Sequence, residues 1–194
     1  VVGTLSMADL TGKISSGMFT MAGGSYALTL LVATAVIILL GMGMPTPAVY
    51  ALAAVLAAPA LLALKIELLP AHLFIVYFAS MSAITPPVAV AAFAAASIAR
   101  ANPIAVAFVA CRVGIAAFVL PLVFVNQPGL LLIGDTATIV TTIGFVLMGA
   151  TCLVVAFEGW LFGLVAPPLR AVLVVLAIRS EEHTSELQSQ NAIS

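Results

Sequence analysis

Charged residues are scarce in this 194-residue chain. Only 7% of its residues are Asp, Glu, Lys or Arg, whereas 64% are hydrophobic, and the mean hydropathy is +1.31. A soluble domain carries roughly 25% charged residues, so the composition argues against a soluble globular protein. The net charge of −1 leaves no basic face for a nucleic acid. Long apolar runs without strict alternation favour helices over a β-barrel, and we predict an all-α integral membrane protein.

Reactive groups are also few. The two cysteines, Cys111 and Cys152, each lie inside an apolar run, which indicates buried small side chains rather than a disulfide or a metal site. The sequence contains no HExxH, GxSxG or P-loop motif and no pair of intramembrane aspartates. We therefore predict that the chain is not an enzyme and needs no cofactor.

Apolar runs alternate with polar or Pro/Gly-rich breaks along the chain. Residues 1–24 mix polar and apolar positions at roughly helical spacing, which predicts an interfacial amphipathic segment or the frayed end of a helix. The remaining predicted elements are a broken transmembrane helix at 25–64, a re-entrant hairpin at 71–99, transmembrane helices at 104–125 and 136–163, and a truncated transmembrane helix at 168–178.

The first strong break is GMGMPTP at 41–47, between the apolar runs 25–40 and 48–64. Two glycines and two prolines in seven residues cannot continue an α-helix without losing hydrogen bonds. Unpaired backbone at membrane depth is tolerated only inside protein or beside a polar cavity. The economical interpretation is one broken element whose Gly41 and Gly43 carbonyls and Thr46 hydroxyl can approach a cation.

The second break is ITPP at 84–87, between arms 71–83 and 88–99. Each arm would extend about 18–20 Å, less than the roughly 30 Å of hydrocarbon, so neither spans alone. The Thr-Pro-Pro sequence disfavours helical geometry at its tip. A hairpin is the leading interpretation, and a single proline-kinked span remains the alternative.

Paired interruptions of this kind hold ions and substrates in secondary transporters. At the second break the available oxygens are the Ala83 and Ile84 carbonyls and the Thr85 hydroxyl. Pro86 and Pro87 provide no amide donors, which favours a cation over an anion there. The structural alternative is that both interruptions only shape helix packing.

Arg112 lies about eight residues into the predicted span 104–125. A charged residue at that depth usually faces the bundle interior, where Arg112 would contact an anionic substrate or a carboxylate. The alternatives are an arginine hydrogen-bonded to carbonyls or one that extends to the membrane edge. His72 is interpreted as an interfacial polar residue rather than a ligand or proton relay.

The last 16 residues differ from the rest, because four of the 13 formal charges lie there. The string RSEEHTSELQS, which begins at Arg179, looks like a translated sequencing adapter. We interpret 179–194 as a non-native tail that truncates a longer protein, and a natural polar tail is the alternative. The start at Val1 likewise indicates an internal or C-terminal piece.

The stretches GMGMPTPAVYALAAVLAAPAL and LPAHLFIVYFASMSAITPPVAVAAFAAASIA resemble the large membrane subunit of TRAP transporters. The likeness covers about residues 1–178 and is nearest to fused permeases that work with TAXI-type binding proteins. It implies the second inverted repeat of an elevator-type carrier, with the first repeat and the small membrane subunit, or its fused equivalent, lying outside this chain.

The resemblance also implies function. It implies Na⁺-driven uptake of organic acids across the bacterial inner membrane, delivered by a periplasmic solute-binding protein, with Na⁺ as the coupling ion. The cation-site residues that it implies are Gly41, Gly43, Thr46, Ala83, Ile84 and Thr85. The expected substrate contacts are Thr85, Pro86, Pro87 and Arg112. The competing hypothesis is a non-transporting membrane scaffold or assembly domain.

Overall fold

The computed structural model describes residues 10–160 and 165–191, and all regular secondary structure within them is helical. The helices are α1 Leu10–Met21, α2 Tyr26–Gly41, α3 Thr46–Ala63, α4 Leu68–Met81, α5 Val90–Ala99, α6 Pro103–Val113, α7 Ile115–Asn126, α8 Thr136–Glu158 and α9 Pro167–Asn191, with a 3₁₀ turn at Pro128–Leu131. This confirms the all-α prediction for the described ranges. The predicted segments 1–24, 136–163 and 179–194 extend partly beyond them.

Two of these helices are long and apolar enough to cross a membrane, namely α3 and α8. At 1.5 Å per residue they measure about 27 Å and 34 Å, close to the thickness of the hydrocarbon core. Helices α5 and α6, joined through a bend of 117°, form a third candidate span if they are counted together. The prediction of a membrane protein is therefore supported by helix length as well as by composition.

The chain divides into two compact units, Val1–Cys111 and Arg112–Ser194. In the first unit α2, α3 and α4 pack against one another, and α1 packs against α2 and α3. Large apolar side chains fill this contact with almost no exposed surface; they include Ile37, Leu61, Phe74, Ile75 and Phe78. Because these side chains are buried, they hold the carboxyl ends of α2 and α4 in place. The two predicted breaks follow directly after these ends.

Both breaks are present. Helix α2 ends at Gly41 and α3 begins at Thr46, while α4 ends at Met81 and α5 begins at Val90. Residues 71–99 are therefore not one continuous helix. That 25–64 is one broken span, and that 71–99 re-enters the membrane, stay predictions, since α3 alone already has the length of a span.

A tight turn separates α5 from α6. The Asn102 Oδ1 accepts hydrogen bonds from the amides of Ile104 (3.0 Å) and Ala105 (3.2 Å), and Pro103 is the first residue of α6. Asn102 therefore caps the amino end of α6, and proline suits the first helical position because its missing amide is not needed there. The two helices meet through a small buried cluster of Ala89, Ala92 and Ala107.

The second unit contains α7, α8 and α9. The predicted span 104–125 is divided at Gly114, because α6 ends at Val113 and α7 begins at Ile115. Helix α8 begins behind the Asp135 carboxylate, which accepts the Ala137 amide (3.1 Å), and ends at Gly159 with φ +71°. Helix α9 continues past Arg179 to Asn191, so the residues interpreted as a tail extend this helix, and their origin stays a prediction.

Candidate functional site

The two helix interruptions lie against each other in the first unit. A Cβ added at Gly41 would overlap the Oγ and Cβ of Ser82, and one added at Gly43 would lie 3.7 Å from the Val88 Cγ1. Gly41 is the last residue of α2, and Ser82 is the residue that ends α4. The carboxyl ends of two helices therefore meet at this point, which we call the α2/α4 junction and define by Gly41–Thr46 and Ser82–Ala89.

Local geometry explains why these residues occupy the first break. Gly43 has φ +84°, a left-handed conformation that glycine adopts without a steric penalty. Pro45, two residues later, ends the interruption in extended geometry and precedes the first residue of α3. Within the break the Met44 amide donates to the Gly41 carbonyl at 3.4 Å. A short turn thus replaces the helix without a side-chain cap.

Thr46 begins α3 at the edge of the junction and is half-buried. Its hydroxyl makes no hydrogen bond with the residues that the structure describes. It therefore remains available both as a donor and as an acceptor. Gly43, exposed beside it, leaves that edge open.

The carbonyls of the second break already accept neutral donors, namely two backbone amides and one thiol. The Ala83 carbonyl accepts the Ala91 amide (2.9 Å), the Thr85 carbonyl accepts the Ala89 amide (3.2 Å), and the Ile84 carbonyl accepts the Cys111 thiol (3.4 Å). A carbonyl oxygen has two lone pairs, so each can still contact a cation. The structure therefore brings the predicted cation-site residues of both breaks into one region.

Thr85 is held by its own backbone. Its hydroxyl donates to the Met81 carbonyl at 2.7 Å, which directs the proton back toward α4 and leaves oxygen lone pairs facing outward from that bond. The following peptide bond, Pro86–Pro87, is cis. Pro86 is half-buried and Pro87 is exposed, so the predicted substrate contacts of this break lie at its accessible edge.

Arg112 belongs to the second unit, where it binds the end of α8. Its Nε donates to the Phe157 carbonyl (3.1 Å), and its Nη2 donates to the carbonyl (3.0 Å) and the carboxylate (3.3 Å) of Glu158. These contacts match the alternative of an arginine hydrogen-bonded to carbonyls, with a carboxylate added. A role in substrate binding stays a prediction.

Sequence reasoning missed two residues of the α2/α4 junction. Ser82 is 2% exposed, donates to the Ala79 carbonyl at 2.7 Å, and separates the two helix ends. Cys111 was interpreted only as a buried small side chain, but it is half-buried and its thiol contacts Ile84. A small residue directly after an apolar helix is the signal that indicates Ser82; no sequence signal identifies the partner of Cys111.

Tyr50 and His72 make a further polar contact between helices in the described part of the first unit. The Tyr50 hydroxyl and the Nδ1 of His72 are 3.0 Å apart, and the two rings are arranged edge to face. His72 is therefore linked to α3, and its position at the membrane interface stays a prediction. Tyr50 lies one helical turn after Thr46, so this contact links the junction edge to α4.

One comparison with known proteins gives a match. The family model described as Tripartite ATP-independent periplasmic transporter, DctM component, matches residues 1–139. No curated protein and no solved structure matches at a significant level. The match covers most of the chain, including both interruptions and the contact between them. Together with the apolar helices, it shows that this chain belongs to the DctM family, the large membrane permease component of TRAP transporters.

Proposed function

We propose that this chain forms the part of a TRAP permease that couples Na⁺ entry to the uptake of carboxylates. The proposal rests on the α2/α4 junction, where Gly41 at the end of α2 packs against Ser82 at the end of α4. A helix carboxyl end carries a partial negative charge that favours a cation. Two such ends meet here, and neither helix has a basic residue in its last turn.

The cation site that we propose uses neutral oxygens. Its ligands are drawn from the carbonyls of Gly41, Gly43, Ala83, Ile84 and Thr85 and from the Thr46 hydroxyl. Hard cations prefer oxygen ligands, and interrupted helices provide them at membrane depth. The donors that already contact the carbonyls of the second break are neutral, so they bring no charge that would repel a cation.

Substrate binding is assigned to the accessible edge of the same junction. Thr85, Pro86 and Pro87 form this edge. Contact of the substrate carboxylate with Arg112, which belongs to the second unit, is proposed by itself and not as part of this edge. The alanine-rich α5 allows close packing of the hairpin against moving neighbours. In this proposal the chain is the second inverted repeat of an elevator-type carrier.

The partners follow from the family. TRAP transporters work with a periplasmic solute-binding protein, and we propose that the one here is of the TAXI type. The first inverted repeat and a small membrane subunit, or its fused equivalent, complete the permease. The assembly is a multi-pass protein of the bacterial inner membrane.

Uptake by the complete transporter in proteoliposomes tests the proposal. With the binding protein and a carboxylate substrate present, we expect Gly43→Leu and Thr85→Val each to abolish uptake driven by a Na⁺ gradient. Leucine is strained at φ +84°, and valine lacks the hydroxyl oxygen. Both variants must remain in the membrane at the wild-type level.

Two control variants change the same residue types elsewhere. Gly144 in α8 has no neighbour within 4 Å of an added Cβ, so Gly144→Leu should transport normally. Thr151 makes the same hydrogen bond as Thr85, to the carbonyl four residues earlier at 2.7 Å, so Thr151→Val removes an equivalent contact. Unchanged uptake in both junction variants would contradict the site and favour the scaffold hypothesis.

A further inference from the structure

The second unit contains an apolar crevice of about 290 Å³ between α7, α8 and α9. Only apolar residues line it; among them are Ala116, Leu120, Gly149, Leu153, Phe157 and Ala177. Along α8 the lining extends from Val146 to Phe157, a length of about 16 Å. That is about half of the roughly 30 Å hydrocarbon core, so the crevice has the depth of one lipid leaflet.

Two guanidinium groups lie at the Phe157 end of this crevice. Arg112 donates to the carbonyls of Phe157 (3.1 Å) and Glu158 (3.0 Å), and Arg170 donates to the carbonyls of Gly159 (3.4 Å) and Val165 (3.0 Å). These bonds attach Arg112 to the last turn of α8 and Arg170 to Gly159, the residue that follows this helix, and to Val165. The mouth of the crevice therefore has a fixed positive rim.

The rim keeps one net positive charge and N–H donors that bind no described residue. Glu158 pairs with Arg112 at 3.3 Å, which leaves one net positive charge among these three side chains. The contacts of both arginines use Nε and Nη2, and their Nη1 groups make no hydrogen bond with the described residues. Trp160, 63% exposed, follows directly, and tryptophan is typical of the headgroup level of a membrane.

We propose that this crevice binds one anionic phospholipid, with a single acyl chain along α8 and the headgroup phosphate on Arg112 and Arg170. The depth of the crevice fits one acyl chain of one leaflet. The net positive charge complements a single phosphodiester, and guanidinium groups suit phosphate through paired N–H donors. The site lies in the second unit and does not depend on cation binding at the α2/α4 junction; Arg112 is the residue that it shares with the transport proposal.

Native mass spectrometry of the complete transporter tests this site. The transporter is released from nanodiscs that contain equal amounts of phosphatidylglycerol and phosphatidylcholine. We expect the wild type to retain phosphatidylglycerol at least tenfold over phosphatidylcholine. The double variant Arg112→Gln, Arg170→Gln should lose this preference, because no guanidinium group remains for the phosphate. Ala150→Phe should lose the retained lipid, because its ring fills the crevice beside Leu153.

Matched variants make the result specific. Arg100→Gln removes an arginine of the first unit, and Leu147→Phe adds a ring to an α8 position that is 62% exposed and outside the crevice. Both should retain phosphatidylglycerol as the wild type does. Equal retention of the two lipids by the wild type would overturn the headgroup assignment. Retention of phosphatidylglycerol by Ala150→Phe would place the lipid elsewhere and overturn the proposal.

Discussion

The carbonyls at the carboxyl end of α8 and those at the α2/α4 junction are bound by different groups. Both regions present helix carbonyls that lack partners in the helix itself. At the end of α8 the guanidinium groups of Arg112 and Arg170 bind these carbonyls. At the junction the carbonyls of Gly41, Ala83 and Thr85 accept backbone amides and that of Ile84 accepts a thiol. Neither helix has a basic residue in its last turn.

This difference indicates where a cation from solution can bind. A helix end that already holds an arginine has its negative potential neutralised by the protein itself. Two helix ends that meet without such a residue keep that potential for a cation from solution. This contrast is why we assign cation binding to the junction rather than to the end of α8.

The largest effect on uptake is expected when an arginine is introduced at the junction. We expect Ala83→Arg to reduce Na⁺-driven uptake at least about 100-fold, equivalent to about 2.7 kcal/mol, because a resident guanidinium would compete for the same carbonyls. Uptake of a radiolabelled substrate into proteoliposomes measures the effect. Ala83→Gln is the control of similar size without charge, and equal uptake by both variants would contradict the account.

The contact between the two helix ends can be broken and restored. Gly41→Ala should place its Cβ against Ser82 and destabilise the protein by about 1–3 kcal/mol, with a matching loss of uptake. Ser82→Gly removes the overlapping atoms, so the double variant should recover thermal stability and uptake. Gly144→Ala, which meets no neighbour within 4 Å, should be silent. A double variant no better than Gly41→Ala would show that these helix ends do not touch.

A smaller effect is expected from a substitution that tests whether the Thr46 hydroxyl binds the cation. We expect Thr46→Val to raise the Na⁺ concentration for half-maximal uptake at least about tenfold, because a polar contact to a charged group contributes about 1.5–3 kcal/mol and about 1.4 kcal/mol is a factor of ten. Thr46→Ser should behave as the wild type does. The measurement is uptake against Na⁺ concentration, with Thr151→Val for comparison. A wild-type Na⁺ dependence in Thr46→Val would remove this hydroxyl from the site.

The smallest effect concerns the ion pair at the end of α8. The side chains of Arg112 and Glu158 are 51% and 34% exposed, so a double-mutant cycle with Arg112→Gln and Glu158→Gln should give a coupling below about 1 kcal/mol. Arg112→Gln alone should cost more than Glu158→Gln, because it also leaves the Phe157 carbonyl without its donor. Thermal unfolding of the complete permease measures both. A coupling well above this value would show that the pair itself holds the helix end.

Much of the first unit was predictable from the sequence, for identifiable reasons. Glycine and proline disrupt helical hydrogen bonds wherever they occur, so the break after Gly41 and the break before Val90 follow from local chemistry. The Asn102 cap is equally local. The weak break at Gly114 was not predicted, because one glycine inside an apolar run also fits a continuous helix.

Contacts between residues that are distant along the chain could not be predicted from the sequence. The approach of Gly41 to Ser82 depends on how α2 and α4 pack, and the two residues are far apart along the chain. The partners of Arg112 also come from another helix, which is why the sequence left a substrate, a carboxylate and backbone carbonyls all open. The mouth of the lipid crevice arises from the same contacts.

Anomalous scattering from Tl⁺ in crystals of the complete transporter tests the central claim most directly. Tl⁺ substitutes for a monovalent cation and can be located without assumptions about its ligands. We predict a peak between the carbonyl ends of α2 and α4, in contact with oxygens of Gly41–Thr46 and Ala83–Thr85, that disappears when Na⁺ is added in excess. Peaks only elsewhere in the protein, with none at this junction, would contradict it.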